Sequence, residues 1–179
     1  MRIVFYLLSI VVANVVTARF APLEFGMFIV PMGTFFVGAT FIFRDLVQNK
    51  YGRKKTYFFI FLALFLSGTA SFLLGDTLMI VAASALSFVI AETADTEIYT
   101  RLKLPMAWRV FYSGIVGGLF DSVIFVIVGL SPLGAGFLPW AAVPAAIVGQ
   151  VVVKTVVQLL GALILSQGLA IKEKRLTEV

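Results

Sequence analysis

Six runs of apolar residues, each near the length that crosses a lipid bilayer, decide what this chain can fold into before any motif is read. They cover about residues 3–17, 25–43, 57–74, 78–99, 110–130 and 141–170. An α-helix needs roughly 20 residues to span a ~30 Å hydrocarbon core. In lipid the backbone must satisfy its own hydrogen bonds, so such runs become helices. The expectation is an all-α integral membrane protein, a six-transmembrane-helix bundle forming one domain over residues 1–179. The last run is long enough to leave the membrane as a helix. Composition agrees, because only 13% of the residues are charged and 61% are hydrophobic, against about 25% charged in soluble domains. The chain has neither cysteine nor histidine, which removes disulfides, thiolate metal sites and the commonest proton shuttle. No small-residue cleavage pattern follows Arg2, so a cleaved signal peptide is not expected.

Lysine and arginine between the runs set the orientation, since positive residues in short loops stay cytoplasmic. Arg2, then Lys50, Arg53, Lys54 and Lys55, then Arg101, Lys103 and Arg109, then Lys172, Lys174 and Arg175 fall on one side if six spans alternate. Only Arg19 falls on the other. Both termini are therefore expected in the cytoplasm, with residues 20–24, 75–77 and 131–140 facing outward. The basic loops fix topology and meet anionic membrane lipid, and no nucleic-acid role follows from them.

Charges inside the runs are a different matter. An acid in a spanning helix costs a few kcal/mol or more unless it faces the bundle interior or a wet cavity, so it marks a candidate site. In the fourth run Ser84, Phe88, Glu92, Asp95 and Tyr99 fall within a sector of roughly 80° on a helical wheel. The bland reading of this stripe is an ion pair that locks helices together. Lys154 lies roughly 20 Å into the sixth helix, with Gln150 and Gln158 one turn to either side, and Asp121 lies about 18 Å into the fifth. Asp121 is the natural partner of Lys154. Thr34, Gly38, Phe41, Asp45 and Gln48 share one face of the second helix, with Pro31, Gly33 and Gly38 as bends, and Asn14 interrupts the first span. Arg44 also belongs to the site question. Pairs such as Gly114 and Gly118, or Ala145 and Gly149, support close helix packing. Duplication of spans one to three into four to six would give two inverted three-helix repeats. Phe43-Arg44-Asp45 and Phe120-Asp121-Ser122 occupy corresponding places in such a scheme.

These residues together resemble the queuosine precursor transporters, six-span proteins also grouped with vitamin-uptake transporters. The resemblance runs from Pro31-Met-Gly33-Thr34 through Phe41-Ile-Phe-Arg-Asp45 to Tyr51-Gly52-Arg-Lys. It continues through Ser84 to Tyr99, Arg109, Ser113 and Asp121-Ser122-Val-Ile-Phe125, and ends at Gln150-x-x-x-Lys154. Two positions depart from it: Asn49 stands where the family has an acid, and Ser166 lies near where the family has a proline. What the resemblance implies is uptake of 7-cyano-7-deazaguanine (preQ0), or its aminomethyl relative (preQ1), across the plasma (inner) membrane. These bases are salvaged for transfer-RNA modification. The chemistry is compatible with that cargo. A deazaguanine offers adjacent N–H donors, a carbonyl acceptor and two π faces, which a carboxylate, an amide or lysine and aromatic rings can meet. The candidate substrate-binding residues are the acids Asp45, Glu92, Asp95 and Asp121, the donors Asn14, Gln150, Gln158 and Lys154, and the rings Phe41, Phe88 and Tyr99. Glu92 or Asp95 is the first choice as reader of the N–H edge.

Other classes are weaker. A Glu-x-x-Asp hydrolase is disfavoured because aspartyl dyads come from separate helices and no histidine completes a metal shell. No Gly-x4-Gly-Lys-Ser/Thr loop is present, so ATP is not bound here. No cofactor or metal is expected. Transport would run by facilitated diffusion, the first choice, or by ion coupling. The alternatives are a substrate-binding subunit of an energy-coupling vitamin transporter, which needs separate ATPase and coupling subunits, and a non-transporting structural membrane protein. A homo-oligomer stays open.

Overall fold

Helix α1 (Arg2–Arg19) leads into a two-stranded antiparallel hairpin, β1 (Leu23–Phe25) and β2 (Phe28–Val30). Then follow α2 (Thr34–Tyr51), α3 (Arg53–Leu73), α4 (Leu78–Arg101), α5 (Met106–Ile124) and α6 (Val143–Thr177). A π-helical turn, Phe125–Leu130, extends α5, and a 3-10 turn, Trp140–Ala142, precedes α6. This computed structural model describes the backbone of residues 1–177 and side chains through residue 168. The side chains of Lys172, Lys174 and Arg175 lie outside that range.

Five stretches are long and apolar enough to cross a membrane: α1, α3, α4, α5 with its π turn, and the 3-10 turn with α6. Helix α2 has 18 residues but holds Arg44, Asp45 and Lys50 among them, so it does not qualify on composition.

The second apolar run departs most from expectation. Instead of one helix over residues 25–43, its first part turns back on itself, pairing Leu23 with Val30 and Phe25 with Phe28. Gly26, at φ +59°, supplies the left-handed turn residue, which only glycine adopts freely. Pro31 cannot donate a backbone hydrogen bond and keeps Val30 extended, so the helix starts later, at Thr34. Pro31 and Gly33 thus precede α2 rather than bend it. Strand β2 packs on α6 at Gly149, where an added Cβ would lie 2.9 Å from Val30 Cγ2. At its other end α2 passes into α3 through the single residue Gly52, whose φ of +79° makes that sharp reversal available.

Helix α4 lies along α3 and α5, α6 along α5 and α2, and α1 along α2 and α3. An inverted repeat relating α1–α3 to α4–α6 would map the α2–α6 packing onto α3 and α5. Those two helices make no such packing among the described residues, so the contacts do not display that symmetry.

Large apolar side chains point away from the bundle, among them Phe58, Phe61, Phe65 and Phe72 of α3, each at least 60% exposed. The interior is mixed. Nineteen apolar and nineteen polar or charged side chains are buried among the described residues. Helices in lipid gain little from burying apolar surface, so small residues and hydrogen bonds take over the packing. Lys50, Arg53, Lys54, Lys55 and Arg101 gather at one end of the bundle, where Arg53 and Arg101 pair with Glu97. The hairpin and the loops before α4 and α6 form the other end.

Candidate functional site

A cavity of about 480 Å³ opens at the hairpin end and runs into the bundle. Phe20, Pro22, Ile29 and Phe137 stand around its mouth, and Asn14, Ser87, Asp121, Gln150 and Lys154 line its depth. A second cavity of about 60 Å³ adjoins the first, sharing Ala13, Asn14, Val37, Ser84 and Asp121 with it, and reaches Phe41, Phe88 and Glu92.

The centre of the larger cavity is an ion pair. Lys154 Nζ donates to Asp121 Oδ2 at 2.7 Å, to Ser122 Oγ at 2.7 Å and to Gln150 Oε1 at 3.3 Å. Asp121 Oδ1 accepts from Ser87 Oγ at 3.0 Å. Helix α5 can bring these groups together because its small face yields to its neighbours: a Cβ on Gly118 would touch the Lys154 side chain at 3.4 Å. The Gln150 Nε2 donor is buried without a partner, beside the cavity that Gln150 lines. Asn14 donates to Ser67 Oγ at 3.0 Å, which leaves its carbonyl oxygen uncommitted. Gln158 spends its amide on Gly38 O at 2.8 Å and does not line the cavity.

Deeper in the bundle the second cluster forms around Arg44. Its Nη1 lies 2.9 Å from Asp45 Oδ1 and also donates to Gln48 Oε1 and Thr96 Oγ1. Its Nε lies 3.0 Å from Glu92 Oε2, and its Nη2 pairs with Asp95 Oδ2. Asp45 Oδ2 accepts from Ser113 at 3.3 Å. None of the four charged side chains is more than 1% exposed. Gly117 lets α5 approach here, since a Cβ would fall 2.9 Å from Asp95 Cβ and 3.1 Å from the Phe41 ring.

The expected site residues therefore divide into three sets. Asn14, Asp121, Gln150 and Lys154 meet at the larger cavity, and Phe41, Phe88 and Glu92 at the smaller one. Asp45, Asp95 and Tyr99 line neither of these two cavities. Asp45 and Asp95 are held by Arg44, and Tyr99 lies under the guanidinium of Arg109, 4.4 Å from ring centroid to Cζ. Ser87, Phe125 and Phe137 were missed as lining residues; the spacing of Ser87 three residues after Ser84 was the available signal for the first. Arg44 stands out in the sequence as a charge within an apolar run, but its spacing does not mark it as the hub of three acids.

A helical bundle with exposed apolar flanks, a polar cavity open at one end and buried charges beneath it defines a multi-pass membrane protein with room for a small molecule. Residues 69–167 match the model of the family described as "Putative vitamin uptake transporter". That match spans more than half of the 179 residues, and the chain belongs to this family. Neither the curated proteins nor the solved structures gave a match.

Proposed function

We propose that this protein takes up 7-cyano-7-deazaguanine (preQ0), or a related 7-deazaguanine base such as preQ1, through the plasma (inner) membrane, as six spans with both termini cytoplasmic. The observation that carries the reading is the unpartnered Gln150 Nε2 beside the Lys154–Asp121 pair in a cavity of about 480 Å³. That volume falls within the roughly 300–1,000 Å³ of small-molecule sites. Gln150 and Lys154 can donate to the carbonyl or nitrile of the base. Asp121 and the Asn14 carbonyl can accept from its N–H edge, and Phe125 and Phe137 offer ring faces. Helix α2 serves as the sixth span because Arg44 and Asp45 are turned wholly inward, the arrangement that makes charge tolerable in a membrane. The basic end is then the cytoplasmic one.

The test is uptake of labelled 7-cyano-7-deazaguanine by cells and proteoliposomes carrying only this chain. Saturable uptake, competed by unlabelled base, is expected. Binding without uptake would make the chain a substrate-binding subunit that needs coupling partners, and neither binding nor uptake would leave a structural membrane protein.

A further inference from the structure

Arg44 is one cation facing three carboxylates, those of Asp45, Glu92 and Asp95, all inside the bundle. With every acid ionised, two negative charges are in excess. An uncompensated charge in a protein interior costs several kcal/mol even after relaxation. No neighbouring element supplies the balance. Helix α1 brings only the Tyr6 hydroxyl, and α3 places its charges at the basic end, where Arg53 meets Glu97. Helix α5 brings Ser113, the further acid Asp121, and Arg109, whose guanidinium lies on Tyr99 and forms no ion pair with the three acids, and α6 brings Lys154, which is committed to Asp121.

Geometry singles out one member. Glu92 lines the smaller cavity, which shares Asn14, Ser84 and Asp121 as walls with the larger one, so it alone of the three acids borders the cavities that lie toward the hairpin end. Its Oε2 faces Arg44, whereas its Oε1 meets no donor. The Tyr6 hydroxyl, wholly buried and also without a partner, lies beside Glu92. A proton on Glu92 would remove one excess charge and give the carboxyl a hydrogen to share with Tyr6.

We infer that the cluster of Arg44, Asp45, Glu92 and Asp95 is a proton site entered from the cavity at Glu92, and that uptake is coupled to the proton it carries. This rests on the reading of the chain as a transporter. A proton from water on the hairpin side bonds to a Glu92 carboxylate oxygen and returns to water at the basic end, and no bond of the substrate changes. Protonation also takes one of three acids away from Arg44, which loosens the link between α2 and α4 that closes the path. Sodium is the rival ion. The three carboxylates that could ligate it already face the Arg44 guanidinium.

The purified chain in vesicles decides this, with voltage clamped by potassium and valinomycin. Exchange of labelled for unlabelled 7-cyano-7-deazaguanine without any gradient reads transport alone, and its absence would overturn the transporter reading together with this inference. Given exchange, adding base outside should acidify a dye trapped inside. A gradient of one pH unit should support about tenfold accumulation for one proton per base. Exchange without acidification, or accumulation driven by sodium at equal pH, would overturn the proton site alone. Glu92→Gln should acidify the interior far less per base taken up than the parent does; if it acidifies like the parent, the proton is carried elsewhere. Should that variant not fold, infrared spectra of the parent decide, since a buried protonated carboxyl that responds to substrate is required and its absence counts against the site.

Discussion

Lys154 and Asp121 are paired at 2.7 Å, but they do not share one environment: Lys154 is 2% exposed and Asp121 15%. Removing one member strands the other, and a stranded buried charge costs about 3–5 kcal/mol. Asp121→Asn should therefore destabilise more than Lys154→Met, because the carboxylate left by the latter faces the cavity. The double variant should lose less than the sum of the two, as measured by denaturant melts in detergent. Strictly additive losses would mean that the two charges do not support one another. Gln150→Leu removes a donor that has no protein partner and should weaken binding of the base by roughly tenfold, about one hydrogen bond's worth, as titration of the purified protein would show. Unchanged affinity would remove Gln150 from the site. The Lys154–Asp121 pair was legible in the sequence, because helical rise alone put both charges at mid-membrane depth. The hub role of Arg44 was not. Periodicity grouped Glu92 and Asp95 on one stripe, but it could not say that α2 would bring a guanidinium to meet them.

At the scale of helices, the glycines of α5 decide how closely charge can be packed. Gly117 stands against Asp95 Cβ and the Phe41 ring, whereas an added Cβ on Gly68 of α3 meets nothing within 4 Å. Gly117→Ala should cost roughly 1–3 kcal/mol, as overpacking does. Gly68→Ala should be neutral or stabilising by up to about 1 kcal/mol, from helix propensity. Thermal melts of the two variants check the contrast, and equal losses would show that α5 does not limit the packing. Small residues four apart were visible in the sequence as packing signals, but their partners were not. Gly149 proves to admit the β2 strand instead of a helix. The hairpin itself was hidden for a physical reason. Leu23, Phe25, Phe28 and Val30 are as apolar as a spanning helix, and only the turn at Gly26 and the stop at Pro31 divide them from α2.

For the whole molecule, the two ends differ: the larger cavity opens at the hairpin end, while the buried Arg44 cluster lies between it and the basic end. The chain has no native cysteine, so single thiols can be placed without background. In intact cells, Leu133→Cys at an exposed position of the hairpin end should react with an impermeant thiol reagent, and Lys54→Cys at the exposed basic end should not. The reverse pattern would turn the protein over in the membrane. Ser84→Cys borders both cavities and should react more slowly from the same side, with protection by 7-cyano-7-deazaguanine. Thr96→Cys should stay unreactive, because that residue is wholly buried against Arg44. A thiol at position 96 that reacts as fast as one at position 84 would mean that water passes the cluster freely. In that case Arg44 and its acids would not close the path, and a proton would cross without needing the substrate.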